Sequence, residues 1–150
     1  TAIDPVRIYI AHAFSEHEDF SKVIEYIEAK GSFTYINSAN PAGKSELRSS
    51  EAIQEELRKQ ISLAEVMIIP VNVYKENQDA IDFQVRIAEN FKIPILGIKS
   101  FGDAAEVPKN LSDHCRKFVE WESRRMLTAI KSLARNETIP DYEVIEFTLD

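Results

Sequence analysis

Residues 77–98 run NQDAIDFQVRIAENFKIPILGI, a helical pattern feeding a buried strand, and Gln84 is the residue in it that demands chemistry. In helical register Ala80, Gln84, Ile87 and Phe91 fall on one stripe, with Ile81, Val85 and Ala88 beside it. Gln84 is thus the only strongly polar side chain on the face expected to pack against a sheet. Burying a side-chain amide without partners costs about 1–3 kcal/mol, so backbone, water or a ligand must occupy its hydrogen bonds. His12 offers a ring that either hydrogen-bonds a ligand or ties down its own loop. Phe14 offers a face for stacking, or a core side chain at a strand exit. Asp82 and Arg86, four residues apart on the same helix, are expected to form a solvated ion pair. His114 and Cys115 are adjacent rather than at ligand spacing, so no metal site is expected.

The elements that must position these side chains alternate between strand and helix. Residues 6–11 (VRIYIA) read as a buried strand, and Ser15 with Glu18 as a capping box opening a helix that runs to Lys30 and stops at Gly31. Residues 33–36 read as a second strand and 37–47 (NSANPAGKSEL) as a polar loop. Ser49 or Ser50 caps a long amphipathic helix to about Ala64, in which Ile53, Leu57 and Ile61 recur every four residues. A third strand is expected at 66–71, a connecting segment at 72–80, a fourth strand at 93–98 and a loop at 99–110. A fifth strand near 117–119 and a helix from about Glu122 to Ala134 complete the series. Continuous apolar strands separated by helices imply a parallel sheet covered on both faces. The expected fold is therefore α/β: a doubly wound, five-stranded parallel sheet of flavodoxin-like order 2-1-3-4-5. In such sheets ligands bind beyond the carboxyl ends of the strands where the winding reverses, between strands one and three. Residues 11–15 and 72–80 meet at that crevice, Gln84 and Tyr74 lie beside it, and the loop 37–47 is long enough to reach over it.

At 150 residues and 44% hydrophobic, the chain is expected to be one globular domain with a sizeable core. Its apolar runs are too short to cross a bilayer, and no secretory signal is read, so no membrane partner is expected. The 25 acidic against 18 basic residues give a net charge of −7, which disfavours a nucleic-acid partner. The single Cys115 excludes an internal disulfide and fits a reducing, cytoplasmic location. Several chemistries also drop out. A response-regulator receiver needs acidic residues after strand one and an aspartate ending strand three, but those ends read Ala11-His12-Ala13 and Pro70-Val71-Asn72. No hydroxyl- and glycine-rich flavin loop follows strand one, and there is no GxGxxG. Gly43-Lys44-Ser45 looks like part of a nucleotide-phosphate loop, yet Ser38 stands where its first glycine should be and the segment follows strand two.

Taken in order, a set of motifs resembles TIR-like domains, specifically the short prokaryotic branch found in Thoeris-type antiviral defence. They are Arg7-Ile8-Tyr9-Ile10-Ala11-His12-Ala13-Phe14, similar to the branch's IFISHSW pattern, and Tyr35-Ile36-Asn37-Ser38. Gln60-Ile61, Ala64-Glu65-Val66-Met67-Ile68-Ile69, Ile81-Asp82-Phe83-Gln84-Val85 with Ala88, Lys92-Ile93-Pro94-Ile95-Leu96-Gly97-Ile98 and Val119-Glu120-Trp121 continue the match. The resemblance assigns residues 1–135 to a TIR-like domain and leaves 136–150 as an extension, a loop and short strand. It implies an enzyme that cleaves NAD, as substrate rather than resident cofactor, to make an ADP-ribose-derived second messenger for a separate effector, and that self-associates. It places Gln84 at the position of the catalytic glutamate, with His12, Ala13, Phe14, Ser38, Tyr74 and Asp82 as candidate ligand contacts. Phe14 would then stack on a nicotinamide or adenine ring.

Two departures stand out: Ala11 and Ala13 replace the serines that usually flank the histidine, and Gln84 stands at the position of the catalytic glutamate, with Ala80 where a tryptophan often precedes it. Gln84 itself is the severe departure. Breaking the nicotinamide–ribose bond builds positive charge on the sugar, which a carboxylate stabilises in the transition state. Glutamine keeps the shape and hydrogen bonds but lacks the charge, so binding can survive while turnover is lost, whether the glutamine is natural or a deliberate replacement. The alternative reading is a non-catalytic TIR-like binding or assembly module, or a ligand sensor. A third is a nucleoside deoxyribosyltransferase-like enzyme, which would need a nucleophilic glutamate that does not stand out.

Overall fold

The computed structural model describes residues 5–13, 18–31, 33–40, 49–99 and 107–135. Phe14, the Ser15 cap, Gly43-Lys44-Ser45 and the 136–150 extension lie outside the described residues.

Five strands, β1 (Val6–Ile10), β2 (Tyr35–Asn37), β3 (Val66–Pro70), β4 (Ile95–Lys99) and β5 (Lys117–Glu120), pair in parallel in the order β2-β1-β3-β4-β5. This is the expected doubly wound α/β sheet. Among the described residues six helices connect or flank them: α1 (Glu18–Glu28), α2 (Ser50–Ser62), α3 (Val71–Glu76), α4 (Gln78–Asn90), α5 (Lys109–Ser112) and α6 (Ser123–Arg135). The two-residue alternation of a strand divides the core. Tyr9, Met67, Ile69 and Ile95 face Leu57, Ile61, Ile81, Val85 and Ala88 of α2 and α4. Ile8, Ile10, Ile68, Leu96 and Ile98 face Val23, Ile27, Met126 and Ile130 of α1 and α6. β3 is buried throughout, and β1 and β4 are buried apart from Arg7 and Lys99, which is why these strands read as largely apolar runs.

The segment 72–80, expected as a connection, is mostly helical. Pro70 holds φ −65 and ψ 132 at the end of β3, and the chain turns at once into the single-turn-and-a-half helix α3, with Val71, Val73 and Tyr74 buried. Asn77 breaks it from α4 by leaving helical dihedrals (φ −143, ψ 47), its backbone N–H donating to Tyr74 O and its side chain to Val73 O. The stripe around Gln84 is also shorter than expected. Ala80 is exposed and Phe91 is 48% exposed, because Ala80 lies in the first turn above the sheet edge and Phe91 is the C-cap where the helix already unwinds. The packed face is Ile81, Gln84, Val85, Ile87 and Ala88.

α4 ends in a Schellman turn: Lys92 N–H donates to Glu89 O and Ile93 N–H to Ala88 O, with Lys92 at φ 58. At the amino end of the sheet Glu65 accepts Arg135 Nε (2.7 Å) and Nη2 (3.0 Å) and the Arg7 N–H (3.0 Å), while Arg135 also donates to Pro5 O. This latch ties the last turn of α6 beneath β1 and β3.

Candidate functional site

Four polar side chains are buried among the described residues: His12, Asp19, Gln60 and Gln84. All four belong to the carboxyl-end region, and two of them are helical glutamines that hold loop backbone. Gln84, 1% exposed, accepts from Tyr9 Oη (2.7 Å) and from His12 N–H (3.4 Å) through Oε1, and donates through Nε2 to His12 O (2.5 Å) and Ala80 O (3.2 Å). Both amide hydrogens and the amide oxygen are therefore engaged inside the protein. His12, two residues beyond β1, is thereby pinned by its own N–H and C=O, as a further strand would pin it.

Gln60 repeats the device one connection over. It projects from α2 beside Leu57 and Ile61, accepts the Asn40 N–H (2.9 Å) and donates to Asn40 O (3.4 Å) and Glu56 Oε2 (2.8 Å). Its Oε1 also meets His12 Nε2 at 3.0 Å. Because a glutamine oxygen only accepts, this contact assigns the proton to Nε2 of His12. Burial lowers the His12 pKa, partly opposed by the Gln60 hydrogen bond, so the ring is neutral near pH 7. Burial also pushes the Tyr9 phenol well above its ordinary value, keeping it a donor to Gln84.

The structure gathers only part of the expected set. His12 and Ser38 join the Gln60–Gln84 framework: Ser38 Oγ donates to Gln60 O (2.7 Å) and Ile8 O (3.3 Å), so its hydroxyl anchors the exit of β2. Ala13 follows, half-buried. Tyr74 and Asp82 form a separate pair, Tyr74 Oη donating to Asp82 Oδ1 at 2.7 Å. Two residues of helix place Asp82 about 200° around α4 from Gln84, so the carboxylate faces α3 and not the β1 exit. Tyr74 is fully buried instead of lining an open crevice, and its pKa rises to about 12, first through burial and then through the hydrogen bond to Asp82. Asp82 takes the tyrosine hydroxyl, and Arg86 lies 5.9 Å over the Phe83 ring, in place of the expected ion pair between them. No cluster of three or more potential metal-ligating side chains occurs among the described residues.

Sequence reasoning missed Tyr9, Gln60 and the buried Asp19, which receives Asn72 Nδ2 at 3.3 Å between α1 and α3. Gln60 carried the same signal as Gln84, a glutamine on the apolar side of a helix. Tyr9 carried none, since a tyrosine in a buried strand reads as core.

No family model matches the chain, and no curated protein does. Similar solved structures include a putative pilus assembly-related protein from Burkholderia pseudomallei, with 12% identity over 89% of this chain and 92% of that one and a TM-score of 0.55. The receiver domain of a sensor histidine kinase from Pseudomonas aeruginosa shares 10% identity over 87% and 98%, at a TM-score of 0.51. The fold is flavodoxin-like. A CMP N-glycosidase of Clostridium botulinum lies further away, at a TM-score of 0.43 and 13% identity over 83% of this chain and 98% of that one. At such identities the likeness is one of flavodoxin-like architecture alone. No helix among the described residues is long and apolar enough to cross a membrane.

Proposed function

We propose that this chain is a TIR-like domain that binds NAD or an ADP-ribose derivative at the carboxyl edge of β1 and β3, and that with glutamine at position 84 it binds without cleaving. The observation that carries the reading is the state of Gln84: buried, uncharged, and with its amide hydrogens and oxygen engaged by Tyr9, His12 and Ala80. Such a side chain holds the loop after β1 in place and supplies no negative charge to a developing sugar cation. What it leaves for a ligand is shape: the backbone of the loop after β1, fixed at the switch point between β1 and β3 of a doubly wound sheet, where this architecture binds small molecules. His12, neutral at pH 7, adds a ring held at the same exit. The domain works by ligand-dependent assembly, in the manner the TIR-like resemblance implies; the NAD-cleaving form of the same site is the one with glutamate at position 84.

The experiment joins calorimetry with chromatography. NAD and ADP-ribose are titrated into the full chain, and nicotinamide is then measured after prolonged incubation. Binding without release of nicotinamide is the expected outcome. No heat of binding at millimolar ligand would remove the binding reading, and steady nicotinamide release would remove the silent one.

A further inference from the structure

We propose that Asp19, screened by Asn72, is the group that reads a ribose 2′,3′-diol in the crevice between β1 and β3. This rests on the ADP-ribose reading above and names the part of the ligand that is recognised. Of the four buried polar side chains among the described residues, Asp19 is the only carboxyl group, and it is 5% exposed. Its place in the first turn of α1 suits negative charge, because the unpaired N–H groups of a helix start lie there. That accounts for an acidic residue at this turn but not for its burial, which desolvates a carboxylate at a cost.

The winding of the sheet puts Asp19 at the switch point. α1 packs Val23 and Ile27 on one face, whereas β3 leads into α3 and α4, which pack Val71, Tyr74 and Ile81 on the other. The chain therefore diverges beyond the carboxyl ends of β1 and β3, after the pairing of Ile10 with Ile68 and the bond from Ala11 N–H to Ile68 O (2.9 Å). The first turns of α1 and α3 are joined across that opening, where Asn72 Nδ2 donates to Asp19 Oδ2. Phe20, next in α1, sets its ring 6.3 Å from the His12 ring and nearly perpendicular to it. One turn of α1 thus touches both strand exits, including His12, whose backbone Gln84 fixes.

The contact between Asp19 and Asn72 has the character of a placeholder. At 3.3 Å it is longer than the usual N–H···O distance of about 2.7–3.2 Å. Asn72 is exposed, so rotation of its side chain uncovers the carboxylate with no change in the main chain. A cis-diol offers two O–H donors, and a carboxylate has lone pairs enough to receive both while keeping other contacts. Hydroxyl-to-carboxylate bonds are short, about 2.5–2.7 Å, and stronger than a neutral amide bond. Dinucleotide-binding sheets read ribose hydroxyls with an acidic side chain in the same way. Exchanging one long amide bond for two charge-assisted ones favours the ribose, and a deoxy sugar forfeits one of them.

Calorimetry on the full chain tests this with ADP-ribose, its analogue lacking the 2′-hydroxyl of the adenosine ribose, and its analogue lacking the 2′-hydroxyl of the terminal ribose. The parent should bind one of the two analogues about tenfold or more weakly than ADP-ribose, which identifies the ribose that is read. Asp19→Asn keeps an acceptor for Asn72, and thermal melting checks that it keeps the fold. In it ADP-ribose should weaken by about tenfold or more, and its advantage over that analogue should shrink to about threefold or less. Asn72→Ala, a change at an exposed side chain, removes the placeholder: ADP-ribose should bind about twofold or more tightly, with the diol preference kept. Three results overturn the assignment of Asp19: a parent that binds ADP-ribose and both analogues alike, an Asp19→Asn variant that keeps the parent's preference, or an Asn72→Ala variant that binds ADP-ribose no more tightly than the parent. Failure of the parent to bind ADP-ribose at all removes the reading of the site, and this inference with it.

Discussion

Gln84→Glu turns the site's geometry into a measurable pH dependence. One glutamate oxygen inherits the donors Tyr9 Oη and His12 N–H, but the other faces His12 O and Ala80 O, where Gln84 now donates at 2.5 and 3.2 Å. As a carboxylate it would meet two carbonyl oxygens with no donor. As a neutral acid it donates one hydrogen bond to His12 O and gives up the other, at a cost of about 1 kcal/mol. Burial and the two carbonyls thus raise the folded-state pKa above the unfolded value of about 4.3. A raised carboxyl pKa means the folded state holds its proton more tightly, so the variant is closest to the parent below about pH 4. It loses about 1.4 kcal/mol per pH unit as pH rises, until pH passes the folded pKa. A rise of two to three units, ordinary for a buried carboxyl, amounts to about 3–4 kcal/mol by pH 8. Urea unfolding of both proteins at several pH values, followed by the fluorescence of Trp121, reads this directly. Any nicotinamide release the variant gains follows the same ionisation and climbs with pH. A stability gap between variant and parent that is constant from pH 5 to 8 would refute the reasoning, since it would mean the carboxyl has left the two carbonyls for water.

Gln84→Ala leaves the Tyr9 hydroxyl and the His12 N–H and C=O without their partner, and should cost about 3–5 kcal/mol in urea unfolding at every pH. Arg135 is the main cause holding the Glu65 pKa below its ordinary value of 4.5; this pair therefore stabilises the fold above that pH and loses its contribution as pH falls through the depressed folded value. Arg135→Met should lower stability at pH 7 and flatten the acid limb of the thermal-melting profile. At position 97 a Cβ would lie 2.3 Å from Phe118 Cε1, so Gly97→Ala should cost about 1–3 kcal/mol in chemical unfolding, with part of the loss recovered by adding Phe118→Leu. Lys92→Gly relieves a left-handed backbone at φ 58 and should raise the melting temperature by an amount equivalent to about 0.5–1 kcal/mol.

The strands were legible because burial on both faces writes itself as runs such as VMIIP, and parallel pairing leaves few orders for five of them. α3 was not, because six residues are too few for a periodic signal and Pro70 masks the start. The stripe of α4 showed that Gln84 is buried but not what satisfies it. Its partners Tyr9 and His12 are 75 and 72 residues away and become neighbours only when β1 lies beneath α4. The same limit hid the pairing of Gln60 with Asn40 and of Tyr74 with Asp82. Local propensity assigns a side chain to a face; the sheet order decides which backbone that face meets.

The central claim is tested most directly by mapping ADP-ribose onto the backbone amides of the full, isotopically labelled chain by nuclear magnetic resonance. The account predicts the largest shifts at His12, Ala13 and Asn72, amides that follow β1 and β3 at the carboxyl edge, and the loss of those at His12 and Ala13 when Gln84→Ala releases the loop after β1. Shifts confined to the amino end of the sheet, around the cavity lined by Glu89, Lys92, His114 and Arg116, would contradict it.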